Sequence, residues 1–477
     1  MFSDMKKINF GTDGWRGIIA DDFIYENIEL FGWALISFVK EKLGNQRGII
    51  IGFDSRFNSK ETANQLANIF LDSGIDTYIV NEPTPTPVVT SEVISRGCDL
   101  GIIITASHND YKWNGIKLRG STGISLSKEE LSYIESNIST KKSKEISQKY
   151  AKNIKGLLTE ISPKEGYLED LREKLNTTEI SNSDKRILVD NMFGTTINYI
   201  EDLFDISGSS IAVDAINNYV NPIFPGIARP EPINENLEKL SERIKKESYA
   251  LGLAFDLDGD RLGIVDENGD ILETYEIYLL LLYYFLEYRK QKLPIVKSLS
   301  VSNMISALAA HYHVPVIETP VGFKYLSKYL ITNEIMIAGE ESGGFGFKDF
   351  KDRDAIVSSV FILNLIIESG LTISSILDNI KKITGNTFIS RKDIDFNPDK
   401  REKLIHSLDK INPADIYDFG LSFIDEKDGK KFSFNDGSWI LIRISGTENI
   451  LRIYAESKLE ETLNNMISNL MDNIEIN

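Results

Sequence analysis

A short apolar run rich in Ile, Val or Leu that breaks off into small and polar residues recurs at least five times along the chain. The runs are 48–53 before Asp54-Ser55-Arg56, Leu100–Ile104 before Thr105-Ala-Ser-His-Asn109, 187–189 before Asp190, Leu251–Phe255 before Asp256, and 335–338 before Gly339-Glu340. Runs this short and this uniformly apolar predict buried parallel strands, each feeding a polar loop. Between them, segments such as 61–73 and 236–247 repeat apolar residues at three- and four-residue spacing, the period of a helix buried on one face.

Alternating strands and helices imply βαβ units, in which ligands gather at the carboxyl ends of the strands. The polar loops fall at that end. The Lys- and Ser-rich segment 139–155 and the polar segment 386–402 read as connections between domains. Beyond about residue 385 the pattern changes to a small α+β unit, with strands at 438–444 and 451–455 and a closing helix at 460–471. A chain of 477 residues has room for about three or four domains. Four are expected, at 1–152, 153–270, 271–384 and 385–477. The longest apolar run, 277–286, is flanked by Glu276 and Glu287. It reaches about half the length of a membrane span and predicts a buried core helix.

Composition narrows the partners. The formal charge of −18 disfavours nucleic acid and anionic membranes, so an anionic ligand must meet local positive charge. Cys98 is the only cysteine, which excludes an intramolecular disulfide framework and a Cys-based zinc site. The first ten residues carry charges and no apolar stretch, unlike a secretory signal, so a cytoplasmic location is expected.

Asp256-Leu-Asp258-Gly-Asp260-Arg261 sets three carboxylates at alternate positions after an apolar strand, where they can converge on one hard cation. Three oxygen ligands with open positions suit Mg2+ shared with a phosphate. An EF-hand would need Gly where Arg261 stands, and helical flanks, although Glu267 falls at its twelfth position. A solvated acidic turn is the plain alternative, opposed by the mutual repulsion of three close carboxylates. Ser107, on the turn after Leu100–Ile104, suits a nucleophile or phosphoryl carrier. Taken alone, a serine there more often caps a turn, and a lone His108 is more often a structural hydrogen-bonder.

Their company shifts the balance. Lys117 lies within ten residues of Ser107, and Gly11-Thr-Asp-Gly-Trp-Arg16-Gly17 holds an arginine in a Gly-rich loop. Both cations would stabilise a transferring phosphoryl group, unless they are surface charges beside tight turns. Arg443-Ile-Ser445-Gly446-Thr447-Glu448-Asn449, with Arg452, has the composition of a phosphate cradle or of an ordinary strand–turn–strand. Gly339-Glu340-Glu341-Ser342-Gly343-Gly344 offers carboxylates and a hydroxyl to a sugar, or is a Gly-rich turn. His311, His313 and His406 have no accompanying ligand set and read as structural.

Together and in this order, Phe10-Gly-Thr-Asp-Gly-Trp-Arg-Gly17, Thr105-Ala-Ser-His-Asn109, Asp256-Leu-Asp-Gly-Asp-Arg261, Gly339-Glu-Glu-Ser-Gly343 and Arg443-Ile-Ser-Gly-Thr-Glu448 resemble the α-D-phosphohexomutase superfamily, in its bacterial and archaeal phosphoglucomutase/phosphomannomutase branch. The resemblance implies three related α/β domains plus a smaller C-terminal α+β domain around a central cleft. It implies a phosphohexomutase interconverting hexose 1-phosphate and hexose 6-phosphate, with glucose first and mannose or glucosamine as alternatives. Ser107 would be a phosphoserine, hexose 1,6-bisphosphate the intermediate and activator, and Mg2+ would be held by Asp256, Asp258 and Asp260 with a phosphoryl oxygen on Ser107. Arg16, His108 and Lys117 would surround the transferring group, Lys117 or Arg16 assisting proton transfer. Glu340 and Ser342 would select the sugar, Arg261 and Lys324 would join the substrate site, and Arg443, Ser445, Gly446, Thr447 and Arg452 would grip the distal phosphate. The implied partners are small-molecule sugar phosphates, with the chain a monomer or weak homodimer.

Three positions depart from the family pattern. Gly344 stands where many relatives carry His, Asn449 replaces a common Pro, and Asp354-Ala355 replaces Asp-Gly after Arg353. Two rival readings are an aspartyl-phosphate phosphatase that uses the 256–260 loop as nucleophile, and a sugar-phosphate sensor that binds without transferring.

Overall fold

The computed structural model of the protein describes residues 8, 10–11, 13–44, 47–152, 155–206, 208–445 and 449–474. Its first sheet runs Trp15–Ile18, Trp113–Gly120, Leu100–Ile104, Ile49–Phe53, Thr77–Val80, Leu158–Ile161. The second runs Leu262–Val265, Leu251–Phe255, Arg186–Asp190, Ala212–Ile216, and the third Val316–Thr319, Ile295–Ser298, Ile337–Gly339, Phe345–Phe347. All three are mixed and flanked by helices. The fourth is antiparallel, in the order Phe388–Asp395, Ile450–Ser457, Trp439–Ile444, Lys430–Phe434, Leu421–Asp425. The expected architecture of three α/β domains and a C-terminal α+β domain is present.

In each of the first three sheets a parallel strand turns back through a polar loop into an antiparallel partner. Leu100–Ile104 returns as Trp113–Gly120, Leu251–Phe255 as Leu262–Val265, and Ile337–Gly339 as Phe345–Phe347. These hairpins carry the three loops singled out in the sequence. Among the returning strands, Trp113–Gly120 does not stand out in the sequence because it breaks the apolar pattern, burying Asn114, Lys117 and Arg119.

Two expected linkers are ordered elements. Segment 139–155 contains the helix Thr140–Tyr150, capped by Ser139 and packed beside the helix Tyr25–Phe38 with Ser143 and Ile146 buried. Its single buried aliphatic side chain hid it. Segment 386–402 contains Phe388–Asp395, paired with Ile450–Ser457 along its whole length. An edge strand leaves one face to water and so reads as polar. The first sheet likewise takes its last strand, Leu158–Ile161, from beyond residue 152.

The first and fourth domains have cores of their own, around Phe31, Ile50 and Ile103, and around Leu404, Ile440 and Met466. The second and third have smaller ones, around Leu240 and Val265 and around Leu326 and Ala338, and share a larger one. One apolar cluster runs from Ile187, Leu253 and Ile264 to Tyr278, Leu282 and Phe361, across the expected boundary at 270. The apolar run 277–286 lies within this cluster, in the buried helix Thr274–Tyr283 and the turn Tyr284–Tyr288. No single helix among the described residues is long and apolar enough to cross a membrane.

The fourth domain docks on the third through Leu299 and Val321 against Trp439, Leu441 and Tyr454. The Glu456 carboxylate accepts from Ser302 Oγ (2.8 Å), Asn303 N (2.8 Å) and Trp439 Nε1 (2.5 Å), so it sits at the N-terminus of the helix Asn303–His311. Beside it Lys431 Nζ donates to Leu299 O at 2.8 Å and lies 4.1 Å from the Trp439 ring centre.

Candidate active site

The Ser107 loop leaves the carboxyl end of Leu100–Ile104. Ser107 is buried, with its backbone in the left-handed region at φ +51°, and its N–H donates to Thr105 Oγ1 at 2.8 Å. A non-glycine residue adopts that conformation only where its surroundings over-determine it. Its Oγ lies 3.3 Å from Asp256 Oδ2 and 3.4 Å from His108 Nδ1. Burial, then the charges of Arg261, Arg16 and Arg229, hold the His108 imidazole well below its ordinary range, so the ring is neutral at pH 7. Arg16, on Trp15–Ile18, donates from Nη1 to Asn109 Oδ1 at 2.5 Å.

The three aspartates occupy the hairpin loop between Leu251–Phe255 and Leu262–Val265, which turns tightly through Gly259 at φ +70°. All three are buried, and one oxygen from each lies within 4.8 Å of the others. Asp256 Oδ1 accepts from the backbone N–H groups of Asp260 and Arg261 at 2.9 and 3.1 Å, which aims the loop inward. Lys117 Nζ reaches across from the first domain to Asp258 Oδ2 (2.7 Å), Asp260 Oδ2 (2.8 Å) and Asp13 Oδ2 (3.2 Å). Burial would strip its proton, but Asp258, Asp260 and Asp13 hold the amine above the ordinary lysine range. Burial also opposes the charge on Asp260, yet Arg353, Lys117 and Arg261 keep that carboxyl below its usual range. Asp256 goes the other way, pushed well up by burial and by the neighbouring Asp260 and Asp258.

Asp258 Oδ1 and Asp260 Oδ1 are buried with no hydrogen-bond partner. Hard oxygen donors left open in a cluster whose repulsion Lys117 only partly relieves fit a divalent cation such as Mg2+. Strand flanks exclude the helix-flanked calcium loop.

The third loop brings Glu340, which accepts from Ser342 Oγ at 2.8 Å and pairs with Arg353 at 3.0 Å. Burial raises the Glu340 carboxyl, and Arg353 offsets part of that. Arg353 also reaches Asp260 (2.6 Å) and Asp13 (2.8 Å), so one buried charge network joins three domains. A Cβ at Gly344 would lie 2.2 Å from Arg353 Cδ: the arginine fills the space that a histidine there would need. The sequence motifs contain Arg353 and Asp13 without giving either a role. They miss Thr86 altogether, whose Oγ1 donates to Asp258 Oδ2 at 2.6 Å, because nothing marks one threonine between prolines.

Other expected residues are less central. Arg261 pairs with Glu231 and lies within 3.9 Å of Asp256 and Asp260. Lys324 is exposed, with its amine over the Tyr325 ring, and makes no ion pair among the described residues. In the fourth domain Arg443 donates to Asp428 at 2.8 Å, Arg452 Nε lies 3.5 Å from Asp393, and the Ser445 carbonyl accepts from Arg401 at 2.9 Å. Gly446 and Thr447 lie outside the described residues. Arg229, unassigned in the sequence, lies 3.7 Å from Glu231, the partner of Arg261.

Three hairpin loops from three sheets are joined by Lys117 and Arg353 into one buried charged site, and comparison with known proteins gives its class. Four family models match in succession: "Phosphoglucomutase/phosphomannomutase, alpha/beta/alpha domain I" over 7–145, domain II over 165–269, domain III over 273–383, and "C-terminal domain" over 396–472. The phosphoglucomutase/phosphomannomutase of Thermococcus kodakarensis is 28% identical over 458 residues, 95% of each chain. The phosphoglucosamine mutase of Caldicellulosiruptor saccharolyticus is 29% identical over 475 residues, 98% of each. The crystal structure of a "putative phosphomannomutase" from Thermus thermophilus superposes with a TM-score of 0.82 at 25% identity, covering 98% of this chain and 99% of that one. The chain belongs to the α-D-phosphohexomutase superfamily.

Proposed function

We propose that the protein interconverts hexose 1-phosphates and hexose 6-phosphates through a phosphoserine at Ser107 and a hexose 1,6-bisphosphate intermediate. The observation that carries this reading is the 3.3 Å separation of Ser107 Oγ from Asp256 Oδ2, at the edge of a three-aspartate cluster with two open oxygens. In transfer from Ser107 the P–Oγ bond breaks, a bond from phosphorus to a sugar oxygen forms, the sugar hydroxyl gives up its proton and Oγ takes one. Neutral His108, with Nδ1 3.4 Å from Oγ, carries that proton. Lys117 Nζ, 2.7 and 2.8 Å from Asp258 and Asp260, holds those carboxylates in place. Arg16 orients Asn109 and adds positive charge where the phosphoryl oxygens spread theirs. When bound by Asp256, Asp258 and Asp260, Mg2+ supplies further positive charge against those oxygens.

Glu340 and Ser342 contact the sugar hydroxyls in this reading, and Arg443, Ser445 and Arg452 hold the distal phosphate. Glucose is the first candidate sugar. Glucosamine is the second, favoured by the Caldicellulosiruptor relative, which is as similar as the Thermococcus one. A coupled assay with glucose, mannose and glucosamine 1-phosphates, each with Mg2+ and its matching 1,6-bisphosphate, decides. Highest kcat/KM on glucose 1-phosphate supports the first reading, and highest on glucosamine 1-phosphate the second. Turnover of none of them overturns the mutase reading.

A further inference from the structure

Arg56 is buried with a side chain wholly shielded from water, and no step described so far uses it. It follows Ile49–Phe53, the parallel neighbour of Leu100–Ile104, so its loop and the Ser107 loop leave the sheet side by side. Its guanidinium donates to four backbone carbonyls of that neighbouring loop and of the strand it leads into. Nη2 reaches Ser107 O at 2.6 Å and Asn109 O at 2.5 Å, while Nη1 reaches Asp110 O at 2.6 Å and Trp113 O at 3.0 Å. Asp54 Oδ2 lies 3.3 Å behind Nε, and Asp54 Oδ1 accepts from Arg56 N and Ser59 Oγ. From the second domain the Phe224 ring lies 5.2 Å from the guanidinium carbon, and Phe193 O accepts from Ser55 Oγ at 2.9 Å.

We propose that Arg56 is the positioning residue of the transfer, a clamp that holds the Ser107 loop in its left-handed conformation with Oγ facing Asp256. This rests on the mutase reading above and adds the group that sets its nucleophile. A trans peptide sends its C=O and the following N–H in opposite directions. Fixing the carbonyls of Ser107 and Asn109 on the guanidinium therefore fixes the N–H groups of His108 and Asp110 on the opposite face, and keeps two carbonyl dipoles away from the phosphoryl oxygens. The planar fork suits arginine alone: an ammonium is a point donor and cannot serve four carbonyls in two directions. Phe224 and Ser55 tie the clamp to the domain that carries the aspartates, so nucleophile and carboxylates share one reference frame. Ser107 must give up its phosphoryl group and recover one within each cycle, and the clamp returns it to the same geometry both times.

The test compares Arg56→Gln, Arg56→Lys and Arg56→Ala with the parent chain. Arg56 does not touch substrate, so kcat is expected to fall about 100-fold in each while KM stays within about threefold, the effect of a roughly 1 Å misplacement. Guanidinium ion at non-denaturing concentration is expected to restore kcat at least tenfold in Arg56→Ala, where it fits the vacated space, and not in Arg56→Lys. Turnover of Arg56→Gln within threefold of the parent overturns the proposal. So does a loss that follows a lowered Tm and shows no guanidinium rescue. If the parent turns over no hexose phosphate the mutase reading falls on its own, and amide exchange judges the clamp: faster exchange across 107–113 in Arg56→Gln supports it, and unchanged exchange overturns it.

Discussion

The loop that carries Ser107 and the loop that carries Asp256, Asp258 and Asp260 occupy the same place in two sheets, each at the turn of a hairpin whose first strand is parallel to its neighbour. They are held in opposite ways. The serine loop is gripped by its backbone, with four carbonyls on Arg56, and leaves its hydroxyl free for chemistry. The aspartate loop is gripped by its side chains, with Lys117 from the first domain and Arg353 from the third on the same carboxylates that face the site. A nucleophile must be free to form and break a bond, so its loop is anchored where the bond is not. Carboxylates gathered for a cation act by their charge, and countercharges can hold them without blocking it.

The contrast breaks first at Ser107. Ser107→Ala is expected to lower turnover about 10^4-fold or more while leaving the aspartate cluster folded, because no neighbouring group replaces the hydroxyl. Intact mass should show a phosphoryl group on the parent chain and none on the variant. A variant that kept turnover and became phosphorylated on an aspartate would return the phosphatase reading. Asp258→Asn should act next. Removing one negative charge from the cluster is expected to cut kcat about 10^2- to 10^3-fold with little change in KM, comparable to the loss of one preorganised group at a charged transition state. Excess Mg2+ should recover only part of it, and full recovery would make the charge on Asp258 dispensable.

The third hairpin sharpens the comparison. Gly344→His must displace Arg353 from its contacts with Asp260 and Glu340, so an overpacking loss of about 1–3 kcal/mol in thermal unfolding is expected. Unchanged stability would mean that Arg353 has another resting place. The smallest effect is expected at the docking seam, outside all three loops. Burial pushes the Lys431 amine down to about 7, helped by Lys297 and opposed by Glu318, Glu456 and Asp425. The unfolded chain, with an ordinary lysine value of 10.5, binds more protons between those limits, so stability should rise with pH from about 7 towards 10.5. The slope is at most about 1.4 kcal/mol per pH unit for one proton. Lys431→Met should flatten it in a Tm series, and an unaltered slope would assign the titration elsewhere.

What sequence made legible was whatever announced itself by contrast. Five of the parallel strands read out because they are runs of apolar residues, and the three loops because small and polar residues follow directly; Ala212–Ile216, Ile295–Ser298 and Val316–Thr319, which carry polar residues, did not. Ser107 and the aspartates were legible as motifs. Arg56, Arg353 and Thr86 were not legible as site residues, since each acts through partners distant in the chain: Arg56 lies 51 residues from Ser107 and Arg353 lies 93 from Asp260. The helix Thr140–Tyr150 and the strand Phe388–Asp395 read as linkers because both turn polar faces to water. The returning strand Trp113–Gly120 was hidden by the buried charges that make it useful.

Because one apolar cluster runs from Ile187 and Leu253 to Tyr278 and Phe361, the two middle sheets share part of their interior, beside smaller cores of their own around Leu240 and around Leu326. Cutting the chain at residue 270 would not release two modules. It would open the shared interior and leave Leu253, Ile264, Tyr278 and Leu282 facing solvent. Grafting or swapping either middle sheet would have to carry its partner's half of that shared interior along.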